Sequence, residues 1–232
     1  MSENIKKITK AFKVDLDSRE NQNILKPSAR HFNNQAHQVD EVVKKIYELI
    51  EDAKHSNDDI ILNHNKIKEA FFSPFKPQLK SAQVFLSHSH ADKNKALKVK
   101  NYLESETNHR VFIDSLFWDY KDDVLNELEK YDNTSKIKDA FTLILRESLQ
   151  DMIEKCPYFV FLQSNNSVSL SQRLSRITYS AWIYEELKIA HSIRESRPTP
   201  MMESWQVSHN ISPFLESLET ITLSKLSHII NS

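Results

Sequence analysis

Two rhythms of apolar and polar positions divide this chain. From Asp40, which reads as an N-cap, Val42, Val43, Ile46, Leu49, Ile50 and Ala53 recur at helical spacing. A second helix is expected over residues 59–72, with Ile60, Ile67, Ala70 and Phe71 as its apolar points. The run Ser73-Pro74-Phe75-Lys76-Pro77 ends it, because neither proline fits inside a helix. Residues 1–39 are rich in Asn, Gln, Lys and Ser, keep no steady period and are expected to be loosely ordered. These signals place a partly disordered, helical extension at 1–78 and a second domain at 79–232.

In the second domain short apolar runs alternate with amphipathic helices. Val84-Phe85-Leu86-Ser87, Val111-Phe112-Ile113 and Tyr158-Phe159-Val160-Phe161-Leu162 read as buried strands. One helix runs through Ala96, Val99, Tyr102 and Leu103. A longer one spans Ile137 to Ile153, with Ile137, Phe141, Ile144, Leu145, Leu149 and Met152 on one side. A polar loop at 163–179 leads to a helix from Ala181 to Arg194, and the tail has room for one more strand and helix. Continuous apolar strands alternating with helices imply an α/β domain whose parallel sheet is covered on both faces. In such sheets ligands sit beyond the C-terminal strand ends. Those ends are Ser87-His88-Ser89-His90, Asp114-Ser115 and Gln163-Ser164.

The helix after residue 181 carries an anomaly. At about 100° per residue, Ile183, Leu187, Ile189, Ala190 and Ile193 form one stripe, and Glu186 lies near its middle. Glu185, Lys188 and Ser192 fall on the opposite side. A carboxylate on an apolar face costs desolvation unless something compensates it. It is either a structural residue bonded to its neighbours or the floor of a cleft that a substrate needs.

Composition narrows the chemistry. The 232 residues contain no glycine, where average usage of about 7% would give roughly 16. This excludes the Gly-rich phosphate cradles of P-loop, Rossmann and kinase type. Any phosphate must be held by helix N-termini, hydroxyls or cations. With 31 basic against 32 acidic side chains, the balance argues against binding nucleic acid through phosphate contacts. A single cysteine, Cys156, rules out an intrachain disulfide framework and a multi-cysteine zinc site, and suits a reducing compartment. The polar start lacks a signal core, and no apolar run approaches the ~18 residues of a membrane span. The expectation is a cytoplasmic protein without membrane or nucleic-acid partners.

Three segments in order resemble the TIR (Toll/interleukin-1 receptor) domain. Val84-Phe-Leu-Ser-His-Ser-His-Ala-Asp92 is similar to its first strand and Ser-rich turn. Val111-Phe-Ile-Asp114 followed by Ser115-Leu-Phe-Trp118 is similar to its second strand and BB loop. Ser180-Ala-Trp182-Ile-Tyr-Glu-Glu186-Leu187 matches its Trp-x-x-x-Glu-Leu signature. The resemblance, closest to bacterial anti-phage members, implies a flavodoxin-like parallel sheet with helices on both faces, plus the N-terminal helical extension. It also implies NAD⁺ glycohydrolase or ADP-ribosyl cyclase activity, switched on by self-association or by another TIR or effector protein. NAD⁺ is then the substrate, with no further cofactor and no metal.

Glu186 is the catalytic residue by this resemblance. Nicotinamide leaves its cationic glycosidic bond as a neutral ring, so one carboxylate stabilising oxocarbenium-like charge suffices where ordinary glycosides need two. Phe117, Trp118, Trp182 and Tyr184 are candidates to stack on the substrate's rings. Ser87 and Ser89, at a strand end before a helix, are candidates for phosphate, and Asp114 ends the second strand. Three of these have plainer readings: Ser89-x-x-Asp92 as a capping box, Trp182 as core, and Glu186 as a structural acid in a TIR domain that only assembles. His88, His90 and Asp92 also resemble the His-x-His-x-Asp motif of zinc metallohydrolases, although Lys93 stands where the next histidine belongs. Nucleoside 2-deoxyribosyltransferase-like chemistry is a further alternative.

Overall fold

Lys10-Ala11-Phe12-Lys13-Val14-Asp15 forms strand β1, inside the segment whose composition suggests looseness. The computed structural model describes residues 10–26, 39–54, 64–72, 81–113, 122–127, 129, 135–170, 175–192 and 209–232. Within them β1 (Lys10–Asp15) pairs in parallel with β4 (Tyr158–Gln163), Phe12 opposite Val160 and Val14 opposite Leu162. On its other side it pairs with β8 (Glu219–Thr220). The expected boundary at residue 78 is therefore corrected. The described chain falls into two compact units, Met1–His31 with Ser81–Asp114 and Leu149–Ser232, and Phe32–Lys80 with Ser115–Ser148.

In the first unit all strands of the main sheet are parallel, in the order β3-β2-β4-β1-β8. Here β2 is Ala82–Ser87 and β3 is Arg110–Ile113. Their apolar runs explain the layering. Val84, Phe85, Leu86, Ile113 and Phe159 to Leu162 are fully buried, and Phe85 stacks on Phe159 at 5.8 Å. Such two-faced burial is what makes a parallel strand read as a continuous apolar run.

Lys13 is the exception that hides β1 from sequence pattern. It occupies an interior position, and its Nζ donates to the Leu215 carbonyl at 3.2 Å. Burial lowers the affinity of this amine for its proton, Arg176 pushes the same way, and Glu216 opposes them.

Helix α1 (Arg19–Ile24) follows β1 and is capped by Ser18. Its Asn21, 1% exposed, accepts from the Leu223 amide and donates to the Asp15 carbonyl. Helices α2 (Val39–Lys54) and α3 (His64–Phe72), near the expected bounds, pack together in the second unit. They are an insertion between β1 and β2, not an N-terminal extension. Residues 59–63 of the expected second helix lie outside the described set.

Helix α4 (Lys93–Glu106) buries Ala96, Leu97, Val99 and Leu103 and packs on β3. Helix α5 (Ser135–Lys155) runs across the division between the units. The polar loop at 163–179 contains β5 (Ser169–Leu170) and β6 (Arg176–Thr178), which join β7 (His209–Asn210) in a small antiparallel sheet. Then come α6 (Ala181–Ser192), α7 (Ser212–Glu216) and α8 (Leu223–Asn231). Among the described residues no helix is long and apolar enough to cross a membrane.

Candidate functional site

The order of strands places a crevice. From β2 the chain moves outward to β3, then crosses back to β4 on the other side of β2. In doubly wound sheets, connections that leave in opposite directions mark where a crevice forms, here at the C-terminal ends of β2 and β4. Ser87 closes β2, Gln163 closes β4 with Ser164 next after it, and helix α6 packs against β2.

Helix α6 begins where Ser180 accepts the Ile183 amide at 3.3 Å. From that start the helical period turns Ile183, Leu187, Ile189 and Ala190 inward together with Glu186, as the sequence stripe requires. Glu186 is 0% exposed. Ser87 Oγ donates to Glu186 Oε2 at 2.5 Å, so a strand end and a helix 99 positions later meet at one short hydrogen bond. When the acid is ionised, such a hydroxyl bond is of the stronger kind. It partly offsets the cost of holding a carboxylate away from water.

The other expected site residues divide. Trp182, half-buried, stands one turn before Glu186 on the same side of the helix. Tyr184 does not join them. Two residues from Glu186, it faces away, its ring stacked on His209 at 4.6 Å and tilted against Phe214. Ser89 is half-buried beside the strand end and makes no side-chain cap bond, so the capping-box reading is overturned. Asp114, Phe117 and Trp118 lie outside the described residues.

A second cluster, which sequence reading did not assemble, surrounds Asp92. This carboxylate is almost completely buried and accepts from Ser164 Oγ, and from Asn166 Nδ2 at 2.9 Å. Lys95 Nζ lies 3.5 Å from it and also bonds Asp17 at 3.1 Å. Asp17 in turn accepts the Asn165 amide at 3.0 Å. Burial pushes the Asp17 carboxyl upward, but the Asn165 amide and the Lys95 ammonium outweigh it and hold the group below its ordinary 3.8. The bond to Asp17 holds Lys95 above its ordinary 10.5 despite burial, and Asp92 adds to the effect. The only sequence hint was the density of Ser and Asn in Ser164-Asn165-Asn166-Ser167 at a strand end.

Beside this cluster the Gln163 Oε1 is buried with no hydrogen-bond partner among the described residues. The alternative zinc triad does not converge: His88 is buried, His90 exposed, and Asp92 already engaged. Among the described residues no group of three His, Cys, Asp or Glu could hold a metal ion. No family model, no curated protein and no solved structure matches the chain.

Proposed function

We propose that this protein is a cytoplasmic TIR-type NAD⁺ glycohydrolase or ADP-ribosyl cyclase with Glu186 as its catalytic carboxylate, serving anti-phage defence and activated by assembly. The observation that carries the reading is the Ser87–Glu186 hydrogen bond at the crevice between β2 and β4. The topology supports it as well. In chain order, with β8 as the fifth strand, the sheet reads 3-2-4-1-5. Its β3-β2-β4 part has the same arrangement as the 2-1-3 start of the flavodoxin-like order, while the fourth position is filled by β1, a strand that precedes β2 in the chain.

In this mechanism the carboxylate accepts hydrogen bonds from the ribose hydroxyls and stabilises positive charge at the anomeric carbon as the bond to nicotinamide lengthens. The electron pair of that bond leaves with nicotinamide, which becomes neutral. Water then adds to the anomeric carbon and loses a proton, or a nucleophile within the same molecule closes a cycle. A ribose hydroxyl would take the position at Glu186 Oε2 that the Ser87 hydroxyl holds. The fully buried acid is then the resting state, and assembly supplies the opening that admits substrate.

One observation favours a second reading, a TIR module that only assembles: Glu186 is 0% exposed and already bonded to Ser87. Nicotinamide release and product mass decide between them, measured on wild type, Glu186→Gln and Glu185→Gln, alone and in cells under phage challenge. Loss confined to Glu186→Gln supports the enzyme. Equal turnover in all three removes Glu186 from catalysis. Stable pairing with another TIR protein, with no NAD⁺ loss in either setting, establishes the module.

A further inference from the structure

Asp92 stands at the N-terminus of α4, where an aspartate ordinarily caps the helix with its own side chain. It makes no such bond. Its carboxylate reaches instead to residues 72 and 74 positions away in the turn after β4, accepting from Ser164 Oγ and from Asn166 Nδ2. Ser164 Oγ then accepts the Asn166 amide at 3.0 Å, and the Ser164 amide donates to Ser167 Oγ at 2.8 Å, so the whole turn after β4 is organised around this contact. Lys95 and Asp17 extend the network to the turn after β1.

We infer that Asp92 is a positioning residue that clasps the turn after β2 to the turn after β4 and so fixes the width of the crevice where Ser87 and Glu186 meet. Its importance for substrate rests on the reading of Glu186 given above; the clasp itself does not. A ligand at the switch point must lie between these two turns. Two donors on one buried carboxylate hold them at a single spacing, as preorganised binding requires. The carboxylate touches no reacting atom in this scheme. Its loss lowers affinity more than turnover.

The test combines amide hydrogen exchange with NAD⁺ kinetics on wild type, Asp92→Ala, Asp92→Asn and Asn166→Ala; the last alters an exposed side chain and avoids a folding failure. Expected are amides at 165–168 exchanging about tenfold faster in Asp92→Ala, with the amides of Phe85 and Val160 unchanged. Asp92→Asn and Asn166→Ala, which keep part of the bonding, fall between. KM for NAD⁺ rises about tenfold in Asp92→Ala while kcat stays within about twofold. Unchanged exchange at 165–168, or faster exchange throughout the sheet, overturns the clasp, and so does a fall in kcat at constant KM. Faster local exchange in a protein that never cleaves NAD⁺ leaves the clasp standing and removes the proposed reaction. Cleavage with unaltered exchange does the reverse.

Discussion

Replacing Ser87 by alanine takes one hydroxyl from a position that is 0% exposed and leaves the Glu186 carboxylate without that donor. The volume change is a single oxygen, so cavity terms are minor. A hydrogen bond to a charged group contributes about 1.5–3 kcal/mol, and that is the expected cost. For a chain of 232 residues it corresponds to a fall in melting temperature of roughly 3–12 °C. Glu186→Gln should behave differently. It keeps the volume and an acceptor for Ser87, weakens one bond to about 0.5–1.5 kcal/mol, and removes a desolvation penalty of several kcal/mol. The variant is expected to be as stable as wild type or more stable, the usual mark of a charge kept for activity. Urea denaturation followed by tryptophan fluorescence, on both single variants and the double, yields a coupling energy of about 1 kcal/mol. Additivity within about 0.3 kcal/mol would mean that the pair does not form in solution. A loss above about 2 kcal/mol in Glu186→Gln would instead make the carboxylate a structural group.

Three further outcomes follow from the same geometry. Phe12, 2% exposed in β1, is expected to cost about 3–5 kcal/mol when changed to alanine; a loss below about 0.5 kcal/mol in denaturation would remove β1 from the sheet. Burial pushes the Cys156 thiol up to about 12, so at neutral pH roughly one molecule in 10⁴–10⁵ carries the thiolate. Iodoacetamide should therefore label it only after unfolding, and prompt labelling of native protein contradicts the burial. Asp17 is held below 3.8 in the folded state, so its pairing stabilises above that value and is lost as pH falls through the folded-state value. Lys95, held above 10.5, contributes below that value and loses its contribution as pH rises through the folded-state one. Solvent screening keeps this half-exposed pair to about 1 kcal/mol or less. The stability difference between wild type and Lys95→Met should be flat from about pH 5 to 9 and shrink outside it; a difference that varies inside that range refutes the assignment.

Local pattern revealed the elements whose residues all agree. Tyr158 to Leu162 has no polar interruption, and its burial on both faces is what that composition demands. Glu186 was legible for the converse reason, as the single residue of its helix stripe that disagrees with the rest. Its partner was nameable but not assignable: Ser87 is marked by its place at a strand end, and only folding brings it to a helix 99 residues on. Asp92 misled local reading because Ser89-x-x-Asp92 satisfies the spacing of a capping box, while the stronger claim on its carboxylate comes from Ser164 and Asn166. A motif within four residues cannot report a competitor more than seventy residues away.

β1 shows the same limit from the side of packing. β4 is apolar on both faces, and a strand of that kind at a sheet edge invites pairing with other chains. β8 has two residues and cannot shield six. Something longer must lie against β4, and β1 does so over its full length, from Lys10 opposite Tyr158 to Asp15 opposite Gln163. The price of using this segment is a lysine in the interior, tolerated because the Leu215 carbonyl receives its amine. The gain reaches the candidate site. β1 ends in the turn that carries Asp17, and Asp17 binds both Lys95 and the turn after β4. The strand that protects the sheet edge thus also anchors the rim of the crevice. A segment that composition assigns to a loose extension belongs, by its bonds, to the architecture of the site.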